Sequence, residues 1–302
     1  MAAPHVIVGS GINALVAAAM LSRRGEPVLL LERSDVLGGC MRTEEITLPG
    51  FRHDVMAATF VLFITSPAYA ELAEDLGRHG LEFCHTPHPT AVLRPGGEAL
   101  KVTMDRAANI AAFEALAAGD GKQHAADVGG IEADAEFLFA LLGSPLWSGK
   151  MARLMLAQAW KRGLGGLKAW LGACLQPARG WLEGNYHSET LQALWAPWVL
   201  HTGLTPESTY SGQMGRVIAF ALEAAGAPVA KGGSGSVPEA FRKLIEAKGG
   251  KIRTGVDVER VLVKDGKAVG VETASGETIK ARSVIASVTP TQLYQRLLKQ
   301  EA

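Results

Sequence analysis

Apolar positions along the chain follow three patterns. Val6-Ile7-Val8 is a short unbroken run, as in a strand buried on both faces, and it ends at once in glycine. Residues 12–24 are rich in Ala and Leu and close on Arg23-Arg24-Gly25, basic groups at the negative helix pole followed by a C-terminal glycine. That pattern predicts a helix, and Pro27 to Leu31 predicts a second strand ending on Glu32. From Leu72 to about Leu222 the pattern becomes helical segments broken by Gly and Pro, with Trp at 147, 160, 170, 181, 195 and 198. Beyond Gly232, Ser236 is the expected N-cap of a helix with Pro238 in its first turn, running to about Lys248 and stopping at Gly249-Gly250. Ile252 to Val258, Glu259 to Val263, Val269 to Thr273 and Ser283 to Ser287 then read as strands, with turns at Asp265-Gly266 and Ser275-Gly276.

Between the first strand and helix lies Gly9-Ser10-Gly11-Ile12-Asn13-Ala14, a G-x-G-x-x-A sequence. In dinucleotide binding each position has a task. Gly9 permits the tight turn, Gly11 lets the backbone approach a pyrophosphate, and small Ala14 lets helix pack on strand. The phosphates would sit on the helix N-terminus. Glu32, 21 residues beyond Gly11, ends the second strand, where a carboxylate accepts hydrogen bonds from a ribose and disfavours a 2′-phosphate. The unit disfavours NADP and by itself leaves FAD and NAD open.

Composition narrows the class. With 302 residues, 48% hydrophobic and 20% charged, the chain can bury a large core, which excludes disorder as its main state. Thirty basic residues balance thirty acidic ones, so no global field recruits nucleic acid. Glycine is the outlier at 35 residues, so many close backbone approaches are expected. Cys40, Cys84 and Cys174 are odd in number and far apart, which suits free thiols in a reducing, cytoplasmic setting. The N-terminus lacks the basic region of a signal peptide, and the uncharged stretch Val55 to Ala70 is too short and too polar to span a bilayer. His79, His85 and His88 are accompanied by no carboxylate or cysteine set, so no metal is expected. Zincin, α/β-hydrolase and P-loop motifs do not occur.

After Glu32 the chain continues Arg33-Ser34-Asp35-Val36-Leu37-Gly38-Gly39-Cys40-Met41-Arg42-Thr43, and then Pro49-Gly50-Phe51-Arg52-His53-Asp54. An E-R-x-x-x-x-G-G element followed by a P-G-F-x-x-D-like stretch resembles the FAD-dependent oxidoreductases related to phytoene desaturase and, more loosely, the flavin amine oxidases. The resemblance implies an α/β fold: a Rossmann-like FAD-binding domain of GR2 type with a β-meander and an inserted, mainly helical substrate domain. The implied domains are 1–71 with 226–290 for FAD, and 72–225 with 291–302 for substrate or interaction. The implied cofactor-binding residues are Gly9, Ser10, Gly11, Asn13, Ala14, Glu32, Arg33, Gly38, Gly39, Cys40, Arg42 and Val258. Relatives carry Arg directly after the glycine pair, where this chain has Cys40, its Arg standing two places on at Arg42. Cys40 is expected to be a small packed thiol, not a flavin attachment point. Val258 is expected to meet the adenine through its backbone, besides being a strand residue. FAD would accept a hydride from an apolar substrate, and such chemistry calls for no conspicuous acid–base pair. No catalytic residue is assigned. His53, Asp54 and Met56 fall where relatives approach the flavin, with a packing role the leading expectation.

Between Gly143 and Leu182 stand Lys150, Arg153, Lys161, Arg162, Lys168 and Arg179, without one Asp or Glu. Interleaved with Trp, Leu and Met, they suit a helix at a lipid headgroup surface, a lid over a lipophilic substrate, or a solvated face over a Trp-containing core. Typical members of the resembling group continue further, through more substrate domain and a last flavin-contacting segment. The resemblance therefore implies a fragment, one half of a split flavoenzyme, a non-catalytic flavin-binding subunit or a reduced protein, with apolar surface meeting a partner chain or a second copy.

Overall fold

The computed structural model describes residues 3–299 and divides them into two compact units, one running up to His85 and resuming at Pro228, the other spanning Thr86–Ala227. The first unit begins with β1 (His5–Val8), α1 (Ile12–Arg23) and β2 (Val28–Leu31), then β3 (Thr43–Glu44), β4 (His53–Asp54), α2 (Val61–Ile64), α3 (Pro67–Arg78) and β5 (Phe83–Cys84). The second unit holds β6 (Thr90–Leu93), β7 (Ala99–Val102), α4 (Arg106–Leu116), α5 (Asp120–Gly143), α6 (Gly149–Cys174), α7 (Ala178–Asn185), α8 (Glu189–His201) and α9 (Ser211–Ala225). The first unit resumes with β8 (Val229–Ala230), α10 (Ser236–Ala247), β9 (Lys251–Arg253), β10 (Val258–Lys264), β11 (Lys267–Thr273), β12 (Thr278–Lys280), β13 (Ser283–Ala286), α11 (Pro290–Gln292) and a π-helical turn at Leu293–Leu297.

A four-stranded sheet in the order β13-β1-β2-β9, parallel throughout, organises the first unit. Because strand side chains alternate between faces, Ile7, Val28 and Leu30 enter one core with Leu15 and Ala18 of α1 and Phe241 and Leu244 of α10. Val6, Val8 and Leu31 enter another, with Val258, Val261 and Val271 of the antiparallel meander β10-β11-β12. Each strand is therefore buried on both faces, which is why β1 and β2 read as unbroken apolar runs. The β10–β11 turn has Asp265 at φ 51° and Gly266 at φ 71°, the positive pair that a tight hairpin needs.

The expected domain boundaries shift. Leu72 and Leu76 of α3 are fully buried in the core of α1 and α10, and Leu297 is buried against Val258 and Val261. Residues 72–85 and 291–299 thus belong to the nucleotide-fold unit rather than the helical one, while 226 and 227 fall in the helical unit. Residues 300–302 lie outside the described residues. Ser236 is the first residue of α10 rather than its N-cap, which is Gly235, because the Ser236 hydroxyl donates back to the Gly233 carbonyl at 2.8 Å.

The helical unit packs around Phe113, Trp181, Leu191, Trp195 and Leu222. Gly215 allows the Trp181 ring to lie against α9, since a Cβ there would fall 2.4 Å from the ring. Two carboxylates, a part-buried Asp127 and a buried Glu223, tie its helices. Asp127 accepts from Trp181 Nε1 at 2.8 Å, the Tyr186 hydroxyl at 2.9 Å and Arg216 Nε at 3.1 Å. Glu223 accepts from Arg106 Nε at 2.5 Å, Asn109 Nδ2 at 2.9 Å and His124 Nε2 at 3.0 Å. Among the described residues no helix is long and apolar enough to cross a membrane.

Candidate nucleotide and flavin site

Gly9, Ser10, Gly11, Glu32, Gly38 and Gly39 of the expected set meet at the C-terminal ends of β1 and β2, where parallel pairing sets Val8 beside Leu31. Gly9 turns the chain at φ +95°, and a Cβ on it would lie 2.7 Å from the Ser287 carbonyl, in the loop following β13. Gly11, the N-cap of α1, has ordinary extended backbone, and a Cβ built on it meets nothing within 4 Å. The two glycines thus differ in kind: Gly9 is required by the fold, whereas the space at Gly11 is left open by the fold.

The start of α1 is bare. Gly11 offers no side-chain cap, the first turn has no acidic residue, and the amides of Ile12, Asn13 and Ala14 donate to no protein group among the described residues. Unpaired amides at a positive helix pole suit an anion. The Asn13 side chain is exposed, whereas Ala14 is buried at the helix–strand contact.

Glu32 is buried at the end of β2, its Oε2 accepting from the Ser10 hydroxyl at 2.6 Å and its Oε1 from the Ser34 amide at 2.9 Å. Ser10 in turn accepts the Gly38 amide at 2.9 Å. One hydroxyl therefore joins the first glycine loop, the acidic strand end and the second glycine pair. Gly38 has φ +116°, with its would-be Cβ 2.8 Å from Pro238 of α10, and the would-be Cβ of Gly39 lies 3.5 Å from the Gly11 Cα. The two glycine loops thus come into contact at Gly39 and Gly11, while Gly38, at positive φ and crowded by Pro238, is the position that leaves no room for a side chain.

Cys40 is exposed, in contrast to the packed thiol expected, because in the 38–41 turn the buried position goes to Met41. Arg33 is exposed, and Arg42 is exposed and paired with Glu44. Val258 opens β10 as a buried residue opposite Thr273, just beyond Val256, whose amide donates to the Glu32 carbonyl at 2.9 Å.

Of the three residues after the glycine pairs, Asp54 has a structural task. Its Oδ1 accepts from the Thr43 hydroxyl at 2.7 Å, the Ser234 amide at 2.8 Å and the Ser234 hydroxyl at 3.1 Å, while Thr43 Oγ1 accepts the Gly235 amide at 2.9 Å. A Cβ on Gly233 would strike Thr43 at 2.4 Å. The β3–β4 pair is thus clamped to the glycine-rich start of α10. His53 Nε2 is hydrogen-bonded to the Thr47 hydroxyl at 2.7 Å, and Met56 is exposed. Sequence reasoning missed Thr43, Ser234 and the Ser287 carbonyl. The signal available for the first two was the glycine run at 232–235, too dense for a helix start alone.

These features fit an adenosine diphosphate moiety: open space over Gly11, unpaired amides beside it, and a carboxylate held in place at the strand end. The family model for flavin-containing amine oxidoreductases matches residues 15–302. The chain belongs to this family. FAD is the cofactor that membership indicates, and the family is one of oxidoreductases. A hydroxyneurosporene desaturase of Rubrivivax gelatinosus is 30% identical over 298 residues, covering 97% of this chain and 54% of that protein. A limonene dehydrogenase subunit of Castellaniella defragrans is 24% identical over 304 residues, covering 98% of this chain and 53% of its own length. The chain therefore spans about half the length of these curated relatives. A putrescine oxidase solved with putrescine superposes with a TM-score of 0.61 at 16% identity, over 98% of this chain and 60% of that one, a likeness of fold.

Proposed function

We propose that this chain binds FAD at the β1–α1 loop and serves an oxidation or desaturation of an apolar substrate, with the flavin as hydride acceptor. The observation that carries the reading is the opening at Gly11, where a bare helix start adjoins a glycine-lined space beside the Ser10–Glu32 pair. In this reading the amides of Ile12, Asn13 and Ala14 hold the pyrophosphate, and Glu32, kept in place by Ser10 and Ser34, accepts the ribose hydroxyls. Gly38 and Gly39 bring a second backbone segment to the phosphates, leaving Arg33, Cys40 and Arg42 at the exposed rim, while Val258 borders the adenine. Bound flavin supplies a two-electron acceptor, and the protein supplies binding and orientation. The desaturase and limonene dehydrogenase relatives support a lipophilic, isoprenoid-like substrate.

A second reading is supported by the limonene dehydrogenase relative, itself one subunit of its enzyme: a flavin-binding chain that works with a partner polypeptide. Purification of the chain alone tests both. A flavin absorption spectrum that bleaches anaerobically with an isoprenoid substrate supports the enzyme, and flavin retention without bleaching until a second chain is added supports the two-chain reading. Retention of NAD without flavin overturns both.

A further inference from the structure

The helical unit presents a face that the nucleotide site does not use. Trp147, just before α6, is 100% exposed, and on α6 Trp160 is 92%, Leu156 70% and Leu164 71% exposed. Opposite them, Met151, Leu167 and Cys174 are buried, so the exposed apolar residues are additional to the side that packs on the unit's core. Within the first half of α6 the spacing is helical. Leu156 and Trp160 stand four apart with Arg153 and Lys161 beside them, and beyond the break at Gly163 come Leu164, Lys168, Leu171 and Leu175.

Charge distinguishes this face from an ordinary protein contact. Arg162 is turned inward, paired with Asp134 and stacked over Trp170. Lys150, Arg153, Lys161 and Lys168 have no acidic partner among the described residues, and no Asp or Glu occurs from 137 to 182. Protein interfaces are depleted of lysine at their centres, whereas long basic side chains flanking Trp and Leu reach lipid headgroups while their stems and the apolar residues enter the acyl boundary.

We propose that the exposed face of α6, with Trp147 before it, docks on an anionic lipid bilayer, Trp147, Leu156, Trp160 and Leu164 entering the interface and Lys150, Arg153, Lys161 and Lys168 meeting lipid phosphates. Each basic group near such a surface raises partitioning about fivefold, and the attraction is screened by salt. The docking is independent of the flavin assignment.

The test is flotation of the full chain with vesicles of phosphatidylcholine alone or mixed with phosphatidylglycerol, at low and high salt, with flavin content read on the same fractions. The expected result is binding to phosphatidylglycerol vesicles that salt weakens, and that Trp160→Glu and, separately, the pair Lys161→Glu/Lys168→Glu each reduce about tenfold or more. Both variants should melt as the wild type does, since these side chains are exposed. Indifference to phosphatidylglycerol, or unchanged binding by both variants, overturns the proposal. So does a wild-type oligomer that Trp160→Glu converts to monomer without any vesicle binding, which makes the face a contact between copies. Loss of flavin with vesicle binding intact counts against the nucleotide site alone.

Discussion

The Ser10 hydroxyl donates to Glu32 Oε2 at 2.6 Å and accepts the Gly38 amide at 2.9 Å, so a side chain within the first glycine loop sets both the Glu32 carboxylate and the second glycine pair. Ser10 itself is buried, so its side chain positions the site instead of lining it. Ser10→Ala leaves a buried amide and a buried carboxylate oxygen short of a partner, a cost of about 1–3 kcal/mol. The expected outcome is a folded protein with a lowered melting temperature and FAD affinity weaker by about tenfold, measured by titrating FAD into the apoprotein.

Asp54 gathers three hydrogen bonds on one oxygen, two of them from Ser234. Asp54→Ala orphans the Ser234 amide and frees the start of α10. A stability loss of about 1–3 kcal/mol is expected in urea unfolding. His53→Ala, which gives up an exposed bond to Thr47, should cost less than about 1 kcal/mol.

Burial would raise the Glu223 carboxyl, but hydrogen bonds from His124, Arg106 and Asn109 outweigh it and hold the group at about 2. Its folded value is thus depressed, and the unfolded chain binds the proton more readily. The stability it contributes is complete above about pH 4.5 and is lost as the pH falls toward 2, at most about 3 kcal/mol. Urea midpoints measured across that window should fall with acid in the wild type and respond less in Glu223→Gln.

Cys40 and Cys84 are exposed, whereas Cys174 is buried and its thiol is pushed up to about 11, mainly by burial. A thiol reagent at neutral pH should therefore modify two cysteines quickly and the third only on unfolding. Three fast equivalents would contradict the packing of α6.

Much of the first unit was legible in the chain because its signals are local. The apolar runs at 6–8 and 28–31, the glycines between them and the terminal Glu32 describe adjacent strands and one helix, and the structure has them in parallel register. The Asp265-Gly266 turn was equally legible, since the backbone conformation of a tight hairpin selects those residues. What stayed hidden depends on contacts distant in sequence. Nothing near Asp54 announces Ser234, 180 residues away, and nothing near Leu72 tells which core it will join. Exposure was illegible too, because the pattern at Cys40 and Met41 does not say which of the two turns inward.

The proposed nucleotide assignment rests most directly on Gly11, where a Cβ would meet nothing within 4 Å and where the proposal places the cofactor. The deciding measurement is FAD stoichiometry of purified Gly11→Val beside the wild type, with melting curves of the apoproteins. The account predicts a variant that folds nearly as well as the wild-type apoprotein and carries little or no FAD. A Gly11→Val protein that holds FAD at the wild-type stoichiometry and affinity would contradict it.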